Sequence, residues 1–320
     1  MSKIAFIFSG QGAQYVGMGK ELYENIPECR KIFHIAEEGL QIPLTKICFE
    51  GPKDEIDKTE NTQPAILTFS IAAMKALEKY GIKPDVTAGL SLGEYSALVC
   101  SKVIDFKEAV SLVRKRGQYM EHAVPSGVGT MAAIIGLKKE KVKEICDGLK
   151  EVGIVEIANI NCPGQIVISG EINAVEKACE IAKEKRALKC VNLSVSGPFH
   201  SSMLKEAGEN LYEELQKIQF KSIEVPFITN VTGDFVKNTS EIKDLLKKQV
   251  MSTVLWEDCI KTMIDFGVDT FIEIGPSKVL SGFVKKIDRK VNILNVEDID
   301  SLNKTIERLK TIERLKTINS

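Results

Sequence analysis

Apolar residues follow two rhythms along this chain. In MSKIAFIFSG and again at Val86–Ala88 they run together in short blocks, as in strands buried on both faces. Around residues 18–38, 65–80, 94–101 and 106–122 they recur at helical spacing. Strand and helix alternate, which predicts an α/β fold.

Between 126 and 196 the rhythm changes. GTMAAIIGL reads as a strand and KKEKVKEICDGLK as a helix. VEIANI and QIVISG read as two strands about the turn Cys162-Pro163-Gly164, followed by the helix AVEKACEIAKEK and the strand ALKCVNLSV. The order βαββαβ is that of the ferredoxin-like unit. A compact unit inside a longer chain predicts an inserted small domain at 126–196, entered near Pro125 and left near Ser196-Gly197-Pro198. The large domain is then 1–125 and 197–320, with further strands at VPFITN and DTFIEIG. At the end KTIERL stands at 304–309 and again at 310–315. An apolar residue at every third position drifts by about 60° per step around a helix of 3.6 residues per turn. Ile306, Leu309, Ile312, Leu315 and Ile318 therefore make no single stripe, and a fraying helical extension is expected.

Composition narrows the partners. At 320 residues the chain can bury a substantial core. Lys+Arg 43 against Asp+Glu 44 leaves a net charge of -1, with no global basic field for nucleic acid or an anionic membrane. Cys29, Cys48, Cys100, Cys146, Cys162, Cys179, Cys190 and Cys259 are scattered without a C-x-x-C pair, and no histidine stands at zinc-ligand spacing. They read as reduced, mostly buried thiols of a cytoplasmic protein. The N-terminal apolar run is too short for a signal peptide, and nowhere do about eighteen apolar residues run together, so no membrane span is expected.

Candidate chemistry centres on GLSLG, residues 89–93, which sets Ser91 at a strand-to-helix turn. A side chain there points away from the sheet, beside the first free N–H groups of the helix, a geometry that suits a nucleophile. The glycine-rich SGQGAQYVGMG lies where an α/β protein keeps a binding loop. The dinucleotide fingerprint would need glycine where Tyr15 stands, and the Lys-Ser/Thr of a P-loop is missing, so neither nucleotide reading holds. Of three histidines, His34 lies in a helical segment and His122 ends one. His200, in SGPFHSSM, occupies a loop from which a base could work. Between Ser91 and His200 the only aspartates are Asp105, which with Glu108 fits a capping box, and Asp147, which ends a helix. The expectation is a serine–histidine dyad whose imidazole is oriented by a carbonyl. Arg116 shares a helix face with Leu112, Val113 and Met120. A buried arginine needs an anion, either an internal carboxylate or that of a substrate.

With these residues in place the chain resembles the malonyl-CoA:acyl-carrier-protein transacylases over essentially its full length. The segments that carry the resemblance are FIFSGQGAQYVGMG, NTQPAILT, GLSLGEYSAL, RGQYM, NINCPGQIVISG, GPFHSSM, KQVMSTVLW and EIGPSKVL. The resemblance implies an α/β-hydrolase-like large domain with an inserted ferredoxin-like small domain. It implies Ser91 as nucleophile, His200 as base, Gln249 orienting His200 through a carbonyl, and the N–H groups of Gln11 and Leu92 as the oxyanion hole. Arg116 would pair with the malonyl carboxylate, and Phe199 would leave little room for an α-methyl branch. Lys185 and Arg186, with Lys183, would meet coenzyme A or the acidic carrier, unless they are only a solvated helix end; Asn161 is a further candidate contact. Many members have histidine just before the nucleophile where this chain has Leu90, which is expected to alter local polarity without loss of mechanism.

The implied activity is transfer of malonyl from malonyl-CoA to the phosphopantetheine thiol of holo acyl carrier protein through malonyl-Ser91. It would belong to fatty-acid biosynthesis, in a cytoplasmic monomer with no cofactor and no metal. The alternatives are a discrete acyltransferase of a polyketide synthase, a serine esterase or thioesterase, and a non-catalytic carrier-docking subunit.

Overall fold

The computed structural model describes the backbone of residues 3–319 and the side chains of residues 3–312. The apolar block KIAFIF becomes β1 (Lys3–Phe8). After it come α1 (Lys20–Asn25), α2 (Pro27–Leu40), α3 (Leu44–Glu50), α4 (Lys53–Ile56) and α5 (Thr59–Glu78). The single helix expected over 18–38 is thus two. Pro27 holds the preceding Ile26 extended (φ -123°, ψ 109°) and opens α2, since proline has no N–H to continue α1. α5 begins at Thr59 rather than 65. Its first turns are polar in sequence, but Asn61, Thr62 and Gln63 are buried and bonded inside the protein, so no apolar period marks them.

β2 (Val86–Gly89), α6 (Gly93–Cys100) and α7 (Phe106–His122) follow. The capping box expected at Asp105 is not formed: Asp105 stands at the N-cap of α7, but its carboxylate accepts both its side-chain bonds from Lys221 (2.7 and 2.8 Å). The charged donor is the stronger partner. Next come β3 (Gly129–Ile135), α8 (Lys139–Asp147), β4 (Val155–Cys162), β5 (Gln165–Glu171), α9 (Ile172–Glu184) and β6 (Lys189–Asn192). The chain ends with α10 (Lys205–Gln216), α11 (Ile242–Val250), α12 (Trp256–Asp265), β7 (Val268–Ile274), α13 (Val279–Ile287), β8 (Asn292–Val296) and α14 (Ile299–Asn319).

The result is a mixed α/β molecule with two four-stranded sheets. One is parallel, in the order β2-β1-β7-β8. VPFITN adds only a bridge beside β2, between Thr87 and Phe227, because the segment turns back at once to bridge Ile228 with Phe235. The other sheet is antiparallel, in the order β4-β5-β3-β6. Side chains alternate along a strand. Ala132 and Ile134 of β3 accordingly pack with Val142, Ile145, Val175 and Ala178 of α8 and α9, whereas Met131 and Ala133 join the main core. Two backbone bonds tie β4 to the segment before α12: Ile160 N–H to the Val254 carbonyl (2.9 Å) and Val254 N–H to that of Ala158 (2.8 Å).

α14 corrects the expectation as far as Ile312. Leu302, Ile306, Leu309 and Ile312 are buried, because the two steps of about 60° from Ile306 to Ile312 have not yet carried the apolar residues off a face of ordinary width. The side chains of Leu315 and Ile318 lie outside the described residues. Among the described residues no helix is long and apolar enough to cross a membrane.

Candidate active site

Ser91 sits in the turn between β2 and α6 with φ 53°, a conformation that side chains other than glycine rarely adopt. The two glycines of GLSLG explain how the turn closes. A Cβ on Gly89 would overlap the Gly93 carbonyl, and one on Gly93 would overlap the carbonyl of Phe8 in β1. Strand and helix can approach this closely only where neither carries a side chain. The loop after β1 (Ser9–Gly12), the turn after β2 and the segment after β7 meet at the carboxyl ends of the parallel strands, where α/β sheets present their sites.

His200, also at positive φ (60°), brings Nε2 to 2.7 Å from Ser91 Oγ. Its Nδ1 lies 2.8 Å from the backbone carbonyl oxygen of Gln249. A carbonyl only accepts, so Nδ1 carries the proton and donates it, leaving Nε2 free to accept from the serine hydroxyl. Burial, and then the charge of Arg116, lower the His200 pKa to about 4. The imidazole is therefore neutral at neutral pH and able to take a proton.

Arg116 of α7 is buried and reaches the same point. Nη2 donates to Ser91 Oγ (3.2 Å) and to Gln249 Oε1 (3.1 Å), and Nη1 donates to Gln63 Oε1 (2.8 Å). Its Nε is buried without a partner, and among the described residues no carboxylate pairs with it. The expectation of an internal carboxylate is thus unmet, and burial lowers its pKa. The backbone N–H groups of Gln11 and Leu92 donate no hydrogen bond among the described residues, and both residues flank Ser91. Two free N–H groups beside a serine–histidine pair can hold a tetrahedral oxyanion.

Phe199, Leu90 and Asn161 line the cleft over Ser91, and Asn161 Oδ1 is buried without a partner. Lys185 and Arg186 do not. They lie at the end of α9, which covers the opposite face of its sheet, where Lys185 pairs with Glu144 (3.3 Å) and Arg186 is exposed. His34 contacts Tyr23, and His122 bonds the Gln118 carbonyl at the end of α7. Asp105 and Asp147 pair with lysines at the surface.

Two residues at the site escaped the sequence reading. Glu94 is wholly buried in α6; its Oε2 accepts from Asn230 N–H (2.9 Å) and from Gln249 Nε2 (2.8 Å). Asn230 brackets the serine: its Oδ1 accepts from Ser91 N–H (2.6 Å), and its Nδ2 donates to the Gly89 carbonyl (2.8 Å). The signal for Glu94 was one acid in the apolar run GEYSALVC. Asn230 gave none beyond closing the block VPFITN.

A parallel α/β sheet presenting a serine on a strand-to-helix turn, a neutral histidine within hydrogen-bond reach and two free amides defines an acyl-transfer site. Residues 5–316 match the acyl transferase domain family, and the chain belongs to it. Its relatives are more particular. The malonyl CoA-acyl carrier protein transacylase of Bacillus subtilis (strain 168) is 50% identical, the match covering 97% of this chain and 98% of that one. The crystal structure of the malonyl CoA-acyl carrier protein transacylase from Clostridium perfringens is similar with a TM-score of 0.96 at 48% identity, covering 99% and 100% of the two chains. A malonyl-transacylase solved in complex with its type II PKS acyl-carrier protein has a TM-score of 0.94 at 38% identity, covering 96% and 100%.

Proposed function

We propose that this chain transfers a malonyl group from malonyl-CoA to the phosphopantetheine thiol of acyl carrier protein, in fatty-acid biosynthesis, with Ser91 as the carrier of the acyl group. The observation that carries the reading is the meeting at Ser91 Oγ of His200 Nε2 (2.7 Å) and an arginine without a carboxylate partner (3.2 Å). The first is what acyl transfer needs, and the second is what a dicarboxylic acyl group would meet. The close relatives named for this activity support it over nearly the whole chain.

The steps follow from the geometry. His200 Nε2 takes the Ser91 proton as Oγ attacks the thioester carbonyl, and the Gln11 and Leu92 amides hold the oxyanion. Collapse breaks the C–S bond, and the thiolate of coenzyme A leaves with the proton from His200. The carrier thiol then gives its proton to His200 and attacks the malonyl ester. Collapse of the second intermediate returns the proton to Ser91. Gln249 fixes the tautomer of His200 through its carbonyl, Arg116 holds the malonyl carboxylate, and Phe199 narrows the cleft beside the acyl carbon. Asn161, which lines the cleft, is a contact for the pantetheine arm or the carrier; Lys185 and Arg186, which do not line it, would serve only as contacts on the outer surface for coenzyme A or the carrier. The reading calls for no cofactor.

We read the parallel sheet with its helices as an α/β-hydrolase-like body and residues 126–196 as a ferredoxin-like insert; the strand order 2-3-1-4 within that segment supports this. Eight free cysteines support a cytoplasmic setting, in which we expect a monomer.

Intact-protein mass after mixing with malonyl-CoA tests the function. The expected result is a malonyl adduct on the parent and none on Ser91→Ala, slow to hydrolyse and discharged by holo but not apo carrier. An adduct lost to water equally fast without carrier would make the chain a thioesterase, and no adduct at all would end the reading. A fatty-acid carrier and a polyketide carrier tried side by side separate the two pathways, since one structural relative was solved with a polyketide carrier.

A further inference from the structure

Glu94 touches none of the atoms that react, yet every reactive group is one residue away from it. Its Oε2 accepts from the backbone of Asn230 and the side chain of Gln249. Asn230 then holds the main chain on both sides of Ser91, through Gly89 O and Ser91 N. Gln249 does three things. Its Nε2 donates to Ser91 O (3.0 Å), its Oε1 accepts from Arg116 Nη2, and its backbone carbonyl accepts from His200 Nδ1. Ionisable or charged groups about Glu94 are Arg116, Tyr95 and Cys259, all buried.

A buried carboxylate is costly unless its bonds do something that apolar packing would not. Here they fix the backbone of Asn230 and the side-chain amide of Gln249, the two residues that keep a strained turn closed. Ser91 at positive φ is held only as long as its surroundings over-determine it. Asn230 supplies that restraint from one side and Gln249 from the other. An amide side chain alone can rotate by 180°, exchanging donor for acceptor; a carboxylate that only accepts selects for Gln249 the orientation with Nε2 toward Glu94 and Oε1 toward Arg116.

We propose that Glu94 is a positioning residue of this site, acting on Ser91 through Asn230 and on Arg116 through Gln249. The inference rests on the roles of Ser91 and Arg116 proposed above. The two branches give different kinetics. Asn230→Ala loosens only the serine turn, so kcat falls about a hundredfold with KM for malonyl-CoA little changed. Glu94→Ala frees Gln249 as well, so kcat falls and KM rises together. Glu94→Gln keeps an acceptor oxygen at Oε2 and recovers at least tenfold of the loss in kcat/KM.

The experiment is steady-state kinetics on the three variants, with the final stoichiometry of malonyl adduct measured by intact mass as a count of competent sites. Full stoichiometry with slow acylation, a KM rise in Glu94→Ala alone, and recovery in Glu94→Gln are expected. Adduct reduced in proportion to the loss of activity, with KM unchanged in every variant, would make Glu94 a folding residue only and overturn the proposal. Equal activity in Glu94→Ala and parent would overturn it too. Should Glu94→Ala be insoluble, the split between Asn230→Ala and Glu94→Gln decides: KM must stay level in the first, and kcat/KM must stay within tenfold of the parent in the second. A parent that forms no adduct, unlike one unaffected by these changes, points to failure of the underlying acyl-transfer reading.

Discussion

At the residue scale, the serine, the histidine and the arginine that meet in the cleft could be picked out from sequence because each stands in a local pattern that restricts what it can do. Ser91 has glycines on either side at positions where no side chain fits, and His200 follows a Gly-Pro turn. Glu94 and Asn230 were not legible, since their meaning lies in bonds between segments about 140 positions apart, which no periodicity encodes. The lowered pKa of His200 has a consequence for rate. The imidazole acts as a base only when neutral, so activity is lost as pH falls through about 4, not through the ordinary 6.5. At pH 5.5 kcat/KM should stay within twofold of its value at 7.5, whereas an ordinary histidine would give a loss of about tenfold. Stability has the same sign. Between pH 6.5 and 4 the unfolded chain gains a proton that the folded chain refuses, so the fold weakens as pH falls across that window, by roughly 3 kcal/mol from this group. Urea titrations at pH 7 and pH 4.5, on the parent and on His200→Gln, would measure it. Arg116→Ala should cost about 10- to 100-fold in kcat/KM for malonyl-CoA, the worth of one charged hydrogen-bonded pair, and leave acetyl-CoA nearly unaffected. Equal losses on both thioesters would remove the carboxylate role from Arg116.

At the element scale, the differences from expectation have local causes: Pro27 divides one helix, and buried polar residues hide the start of α5. Alternation in β3 was easier to recognise because one face meets helices and the other the main core. The contact of β2, α6 and β1 around Gly89 and Gly93 is backbone against backbone. A methyl added at Gly93 has no side chain to push aside, so Gly93→Ala should lose about 3 kcal/mol or more, or yield no soluble protein. A melting temperature within 2 °C of the parent, which in a chain of this length corresponds to about 1 kcal/mol, would contradict the tight turn. In α14, Leu309→Ala should cost about 2 kcal/mol or more by chemical denaturation, as a buried leucine does and a frayed one does not.

At the scale of the whole molecule, the alternating α/β order and the four strands that form the second sheet were visible in sequence. The way the two sheets share a core was not. Met131, Ala133, Ala158 and Val167 lie on the inward face of the second sheet and belong to the same buried cluster as β1 and α5, and β4 is bonded to the segment before Trp256. That continuity predicts one unfolding transition. The fluorescence of Trp256, the only tryptophan, should change together with far-ultraviolet circular dichroism; two separated midpoints would show that the segments unfold independently. The unpaired Arg116 charge also matters to the molecule as a whole. A folded chain that keeps a buried cation without a direct carboxylate partner is at a disadvantage; with Arg116 in the role proposed above, acylation removes it, since the malonyl group would supply the anion from within. The loaded enzyme is then the hardier of the two forms. A dye-based melting curve that rises on loading would report occupancy directly and give a plate-format screen for compounds that compete for the serine.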